Sequence, residues 1–142
     1  MAFSHFRGPL RITYKPKIAS TAFSLGDLMY QDGSGAVQEA DATSGDHVGV
    51  SLRESASTDS DYASNTHIPL IQVNDSTEFK VAVSTGTLTT AMVGEYRDLT
   101  DGAGIDVNAT SKLVVLISQF VSTGVAIVYV SAHVTSRRVA TT

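Results

Sequence analysis

The chain contains no cysteine. A disulfide framework and any thiolate metal site are thereby excluded, and the fold must be held by its core or by contacts between subunits. Charge is also scarce, with Asp, Glu, Lys and Arg making up 17% of 142 residues. In a chain rich in strand formers, that scarcity suits a surface partly covered by a partner. Long apolar runs are missing as well. The longest, Leu113–Ile117 and Val125–Val130, are far shorter than a membrane-crossing helix needs. Residues 1–7 lack the apolar segment of a secretory signal. The expectation is a chain made in the cytoplasm that makes no membrane contact. No stretch keeps the 3.6-residue apolar spacing of a helix, so the class is all-β.

Acidic residues are absent from both ends. Residues 1–26 carry Arg7, Arg11, Lys15 and Lys17 with no acid, and residues 107–142 carry Lys112, Arg137 and Arg138 with none. All 14 acids fall between, against Arg53, Lys80 and Arg97. Such basic ends either steer association with an acidic surface or neutralise the chain's own body. The acidic body carries no aromatic-basic pattern of a nucleic-acid reader, so no nucleic-acid partner is expected.

Signatures of catalysis are equally sparse. His5, His47, His67 and His133 stand alone, without a second ligand at metal spacing. No Gly-x-Ser-x-Gly elbow is present, and Gly33-Ser34-Gly35 is not followed by the lysine of a phosphate loop. Asp59-Ser60-Asp61 lacks the glycine and distal glutamate of a calcium loop. No metal, cofactor or catalytic residue is expected.

What the chain does contain is a repeat. Gly26-Asp27-Leu28-Met29-Tyr30 leads to the turn Asp32-Gly33-Ser34-Gly35, the loop Ala42-Thr43-Ser44 and the run Val48-Gly49-Val50-Ser51. Gly94-Glu95-Tyr96 leads in the same way to Asp101-Gly102-Ala103-Gly104, Ala109-Thr110-Ser111 and Leu113-Val114-Val115-Leu116. Asp-Gly supplies the positive φ that a tight hairpin turn needs, so each copy reads as a hairpin followed by a longer strand. Asp27 and Glu95 hold equivalent places. They read as groups capping their strands, with a facing acid–base pair, as in a small hydrolase, as the rival.

The remaining elements fall around these units. Residues 1–20 read as an extended N-terminal arm, with Leu10, Ile12 and Tyr14 alternating with Arg11, Thr13 and Lys15 between Pro9 and Pro16. A β domain spans 21–134, with repeat units at 21–52 and 90–121 and a closing hairpin at 113–134, and a tail follows at 135–142. The Ser/Asp-rich stretch 53–66 reads as a surface loop, functional or mobile. His67–Val73 and Phe79–Val83 are strands.

The order of these motifs, from Gly26–Tyr30 through Ala40-Asp41-Ala42-Thr43, Val48–Leu52, His67–Val73 and Phe79-Lys80-Val81 to Val93-Gly94-Glu95, resembles the capsid decoration (cement) proteins of tailed bacteriophages over about residues 21–133. The resemblance implies a small β-barrel or β-tulip domain that assembles as a homotrimer. It further implies binding to the major capsid protein on the outside of an icosahedral head, which is stabilised by it. No catalytic residue carries over. The longer arm and the 53–66 loop depart from simpler members and bear on the mode of attachment. On this reading Phe3, Phe6, Leu10, Ile12 and Tyr14 anchor the arm on the shell, and Arg7, Arg11, Lys15 and Lys17 pair with acidic shell residues. Leu113, Val115, Ile117, Ile127, Val128 and Val130, nearly continuous in apolar character, are expected at the trimer interface. A virion-displayed receptor- or carbohydrate-binding module using loop 53–66 is the alternative.

Overall fold

Short runs of β-branched and aromatic residues, punctuated by Gly, Ser, Asp and Asn, give eleven strands among the described residues. The computed structural model describes residues 2–131, and the one helical turn among them is a 3₁₀ segment at Thr90–Met92. The strands are β1 (Phe3–Arg7), β2 (Ile12–Pro16), β3 (Leu28–Gln31), β4 (Val37–Glu39), β5 (His47–Ser51), β6 (His67–Gln72), β7 (Glu78–Thr85), β8 (Tyr96–Asp101), β9 (Gly104–Asp106), β10 (Val115–Ser122) and β11 (Val125–Val130). The molecule is all-β, as the sequence predicts.

Strands β7 to β11 close into a five-stranded barrel in the order β7-β11-β10-β8-β9, sealed by a parallel pairing of β7 with β9. Strands β2 to β6 repeat that order as β2-β6-β5-β3-β4. The correspondence extends to register. Leu28 opposite Val50 matches Tyr96 opposite Leu116, and the lone parallel bridge of Lys17 with Val37 matches the pairing of Val83 with Ile105. The duplicated unit is thus larger than the motifs at 21–52 and 90–121, with one further strand on each side. The two closures differ in extent. Three residues of β7 (Ala82, Val83 and Thr85) pair with β9, whereas the first unit has a single bridge, Lys17 with Val37, just past β2, where the Ile18 N–H donates to Val37 O at 3.0 Å.

Strand β1 belongs to neither unit. The edge of β7 that β9 leaves uncovered, Glu78–Val81, takes β1 antiparallel, with Phe3 opposite Val81 and Arg7 opposite Glu78. Phe3 is fully buried, its ring edge-on to Phe79 at 6.5 Å. Arg7 donates to the buried Glu78 carboxylate at 2.8 Å, and the Tyr129 hydroxyl donates to the same oxygen at 2.7 Å. Gly8 then turns the chain towards β2 with φ +95°, and a Cβ there would lie 2.1 Å from the Ser76 carbonyl oxygen. Within the stretch read as an extended arm, Phe3–Arg7 and Ile12–Pro16 are strands of the molecule's own sheets, separated by the turn at Gly8. Phe3 is a core residue and offers no anchor to a shell.

The larger core joins the units. Leu28, Val50, Ile71 and Val73 of the first pack with Leu99, Ile105, Ile117 and Val128 of the second, while a smaller cluster of Phe23, Met29, Val37, Ile68 and Leu70 fills the first unit. Along β6, Ile68 and Leu70 face one cluster and Ile71 the other, which explains its unbroken apolar run. The same logic revises the β10–β11 hairpin. Val115, Ile117, Ile127, Val128 and Val130 are buried within the chain itself, so they are not a trimer interface. Leu113, half-buried, sits just before β10 at φ +58°. The last residues of that hairpin and the tail 135–142 lie outside the described residues.

The turn glycines act differently from expectation. Positive φ falls on Gly35 rather than Gly33, because β3 and β4 are joined by five residues. Gly102 is required for space instead: a Cβ there would meet the Glu39 side chain at 2.5 Å and the Leu28 carbonyl oxygen at 2.8 Å. The second hairpin turn is inserted against the first unit, where Gly102 O accepts the Leu28 N–H at 2.8 Å.

Truncating Phe3 to alanine is expected to cost about 3–5 kcal/mol in urea unfolding. The same change at exposed Phe6 should stay within about 0.5 kcal/mol. Equal, small effects at both would show that β1 is not part of the folded body.

Candidate functional site

Four of the large exposed apolar side chains follow one another along β1, the link to β2, and β2 itself. Phe6, Leu10, Ile12 and Tyr14 are 46%, 54%, 43% and 62% exposed. Their exposure follows from strand geometry. Ile12 and Tyr14 pair with Ile71 and Pro69 on β6, the side of the sheet that packs on the second unit, but they lie beyond the part that the second unit covers.

The backbone beside these side chains is also open. Arg11 O accepts the Gln72 N–H at 2.8 Å and the Lys17 N–H donates to Thr66 O at 2.9 Å, so the odd-numbered residues of β2 bond to β6. By antiparallel alternation, Ile12 and Tyr14 turn their N–H and C=O groups the other way. Among the described residues no strand pairs there until Lys17 meets Val37. Pro16, with no N–H to offer, ends the open stretch.

The four cations expected at the shell divide into two pairs. Arg11 and Lys15 make no ion pair among the described residues, and each lines a shallow surface depression, of about 240 and 230 Å³, that shares Gln72 with the other. Arg7, although itself exposed, is bound to Glu78. Lys17 is fully buried, contrary to expectation. Its Nζ donates to the carbonyls of Tyr62 (3.0 Å) and Ser64 (2.8 Å), over the Tyr62 ring, and Asn65 Nδ2 donates to its carbonyl at 2.8 Å. Loop 53–66 is therefore fastened to the body. Arg53 adds a two-pronged hydrogen bond to Asp61 at 2.7 and 2.8 Å, which holds that carboxyl down to about 2.

The facing acid pair that was the rival reading of Asp27 and Glu95 is not assembled. Asp27 is buried, accepts the Ser24 N–H at 2.8 Å, and lies near Asp101 and Glu39 in the seam between the units. Burial first, and the neighbouring Asp101 second, push its carboxyl above the usual range; Glu39 is raised by burial and by Asp27 and Asp101. Glu95 is exposed and receives Arg97 at 2.6 Å.

One pairing was not anticipated from sequence. The Ser44 hydroxyl and His47 Nε2 lie 3.0 Å apart and are both buried. Ser44 also accepts the Asp41 N–H at 3.1 Å and donates to the Asp41 carbonyl, locking the loop. Nδ1 makes no hydrogen bond; burial dominates over the Ser131 backbone and the nearby Asp46 and Asp41, which favour the charged ring, and lowers the imidazole to about 4. A base that weak, with no carboxylate behind it, braces a loop and is poorly suited to activating a hydroxyl. Ser-x-x-His across a short loop was the available signal. No group of three metal-ligating side chains exists among the described residues.

No protein-family model matches the chain, and no curated protein is significantly similar to it.

Two opposite pH slopes are expected. His47 stays neutral in the fold, so stability falls as pH drops from its ordinary 6.5 to about 4, by up to about 3 kcal/mol, and His47→Gln removes that slope. Asp27 holds its proton more tightly when folded, so the native chain gains stability as pH falls through the raised value towards 3.8. Asp27→Asn should raise the melting temperature at pH 7 and lose that advantage near pH 3. Unfolding midpoints of the three proteins across pH 3–8 check both signs.

Proposed function

We propose that the protein is a virion structural protein, a capsid decoration protein that binds the outer surface of an icosahedral phage head as a homotrimer and stabilises the shell through its contacts with the major capsid protein. The observation that carries the reading is the row of exposed apolar side chains along the chain, Phe6, Leu10, Ile12 and Tyr14, interleaved with the cations Arg11 and Lys15, which make no ion pair among the described residues. Large apolar side chains held outward on a strand suit an adhesive surface, since their cost in water is recovered only when a partner covers them. The resemblance of the turn-and-strand motifs to decoration proteins supplies the choice of partner. The role is adhesive rather than catalytic and calls for no cofactor.

A shell presents the same surface many times around each three-fold point. A closed trimer would bring three copies of the row to bear at once, so modest single contacts add to a long residence. The self-contact must use a surface other than the buried β10–β11 residues. Leu25, Val93, Phe120 and Val121 are 45%, 41%, 37% and 48% exposed and leave apolar area for it. Attachment by a detachable arm does not suit this body, because deleting residues 1–20 would remove Phe3 and Lys17 from the interior.

The decisive experiment is to measure the solution mass of the purified protein and then its binding to emptied heads of the cognate phage. A mass near three times 15.0 kDa and saturable head binding are expected. The pair Ile12→Ser and Tyr14→Ser should weaken head binding by about 2 kcal/mol or more while leaving the unfolding midpoint nearly unchanged. A strict monomer that ignores heads would overturn the proposal.

A further inference from the structure

The duplicated register singles out one vacancy. Ile12 stands opposite Ile71 where Glu78 stands opposite Tyr129, and Lys17 meets Val37 where Val83 meets Ile105. Residues 12–15 of β2 therefore occupy the place that residues 78–81 of β7 occupy in the second unit. In the second unit that stretch is covered by β1, antiparallel, with Phe3 opposite Val81, Ser4 opposite Lys80 and His5 opposite Phe79. In the first unit no described strand covers it.

We infer that the outer edge of β2 at Ile12–Lys15 is a strand-acceptor site for an extended segment of a partner protein in which apolar and acidic residues alternate. The edge offers the N–H and C=O groups of Ile12 and Tyr14, which an added antiparallel strand would satisfy as β1 satisfies β7. Ile12 and Tyr14 present apolar side chains on one face, and Arg11 and Lys15 project on the other. An incoming strand of matching pleat sets apolar residues over Ile12 and Tyr14 and carboxylates beside the cations.

Charge selects this occupant over a second copy of the chain. Residues 1–26 contain no acid, so pairing β2 with another β2 brings none to Arg11 or Lys15. The register that joins Ile12 to Tyr14 of the other copy would set Arg11 against its Lys15, a like-charge pair directly opposed. β1 is committed to β7 by the buried Phe3 and by Arg7 on Glu78, so it is not free to supply the strand.

The inference deepens the decoration reading, in which the segment would belong to the shell, but its test uses no heads, so the two can fail separately. The probe is a synthetic peptide of alternating valine and glutamate, six residues long and blocked at both ends, added to the full-length protein and followed by amide hydrogen exchange. The Ile12 and Tyr14 amides should exchange freely in the protein alone and slow when the peptide binds. The double charge reversal Arg11→Glu and Lys15→Glu should weaken binding about ten-fold or more, and a valine–lysine peptide should not bind. Amides already protected without peptide would mean that the chain itself, or a second copy, covers the edge. That result overturns the inference, as does peptide binding that leaves both amides unprotected, or no binding at all.

Discussion

Satisfying the edges of its sheets is the constraint on which this molecule depends. A strand edge carries unpaired N–H and C=O groups, and closing a sheet into a barrel removes them. The second unit achieves closure by pairing β7 with β9, yet β9 is three residues long and β7 eight. The remaining edge is filled by β1, drawn from the opposite end of the chain. That loan fixes the course of Phe3–Arg7 and sets Phe3 in the shared core. It also carries the chain across the join between the units, where the Phe3 N–H donates to Gly26 O at 2.9 Å. The first unit, with the same strand order, is closed by a single bridge. The difference between the two halves is thus one of completeness rather than of design, and the open edge of the incomplete half carries the exposed Ile12 and Tyr14.

Electrostatics at the join follow from the same packing. Gly102 must lie against Leu28 and Glu39 for the second unit's turn to insert, and its N–H reaches Glu39 Oε2 at 3.2 Å. This gathers Asp27, Glu39 and Asp101 within mutual influence, and the buried Asp27 and half-buried Glu39 take on raised affinities for protons. Nearby, Asp98 resolves a different problem. Its two carboxylate oxygens accept the N–H groups of Ser111, Lys112 and Leu113, each at 2.8–2.9 Å. Those bonds hold Leu113 in a left-handed conformation that a leucine seldom adopts and deliver the chain into β10.

Much of the architecture was legible in the residues. The turn motifs at 26–35 and 94–104 marked two related three-strand groups, because glycine and aspartate are demanded by local geometry and leave a visible trace. The outer strands of each unit leave no such trace. Ile12–Pro16 and Glu78–Thr85 share only register and partner, and hydrophobic alternation alone does not distinguish one strand from another. Burial of β10 and β11 was legible, but its cause was not: a barrel interior and a subunit face leave the same run of valine and isoleucine. The fate of the cations was hidden for a related reason. Arg7, Arg11, Lys15 and Lys17 look alike in sequence, and only the fold brings Glu78 to the first and the carbonyls of Tyr62 and Ser64 to the last.

Lys17 has a chemical consequence of its own. An ammonium group enclosed by two carbonyls and an aromatic ring is shielded from the aqueous reagents that acylate ordinary surface amines. Lys15, two positions away and partly exposed, has no such shelter. Two lysines this near in the chain should therefore differ in nucleophilic reactivity, and covalent labelling of the inner one would report the moment at which the serine-rich loop comes away from the body.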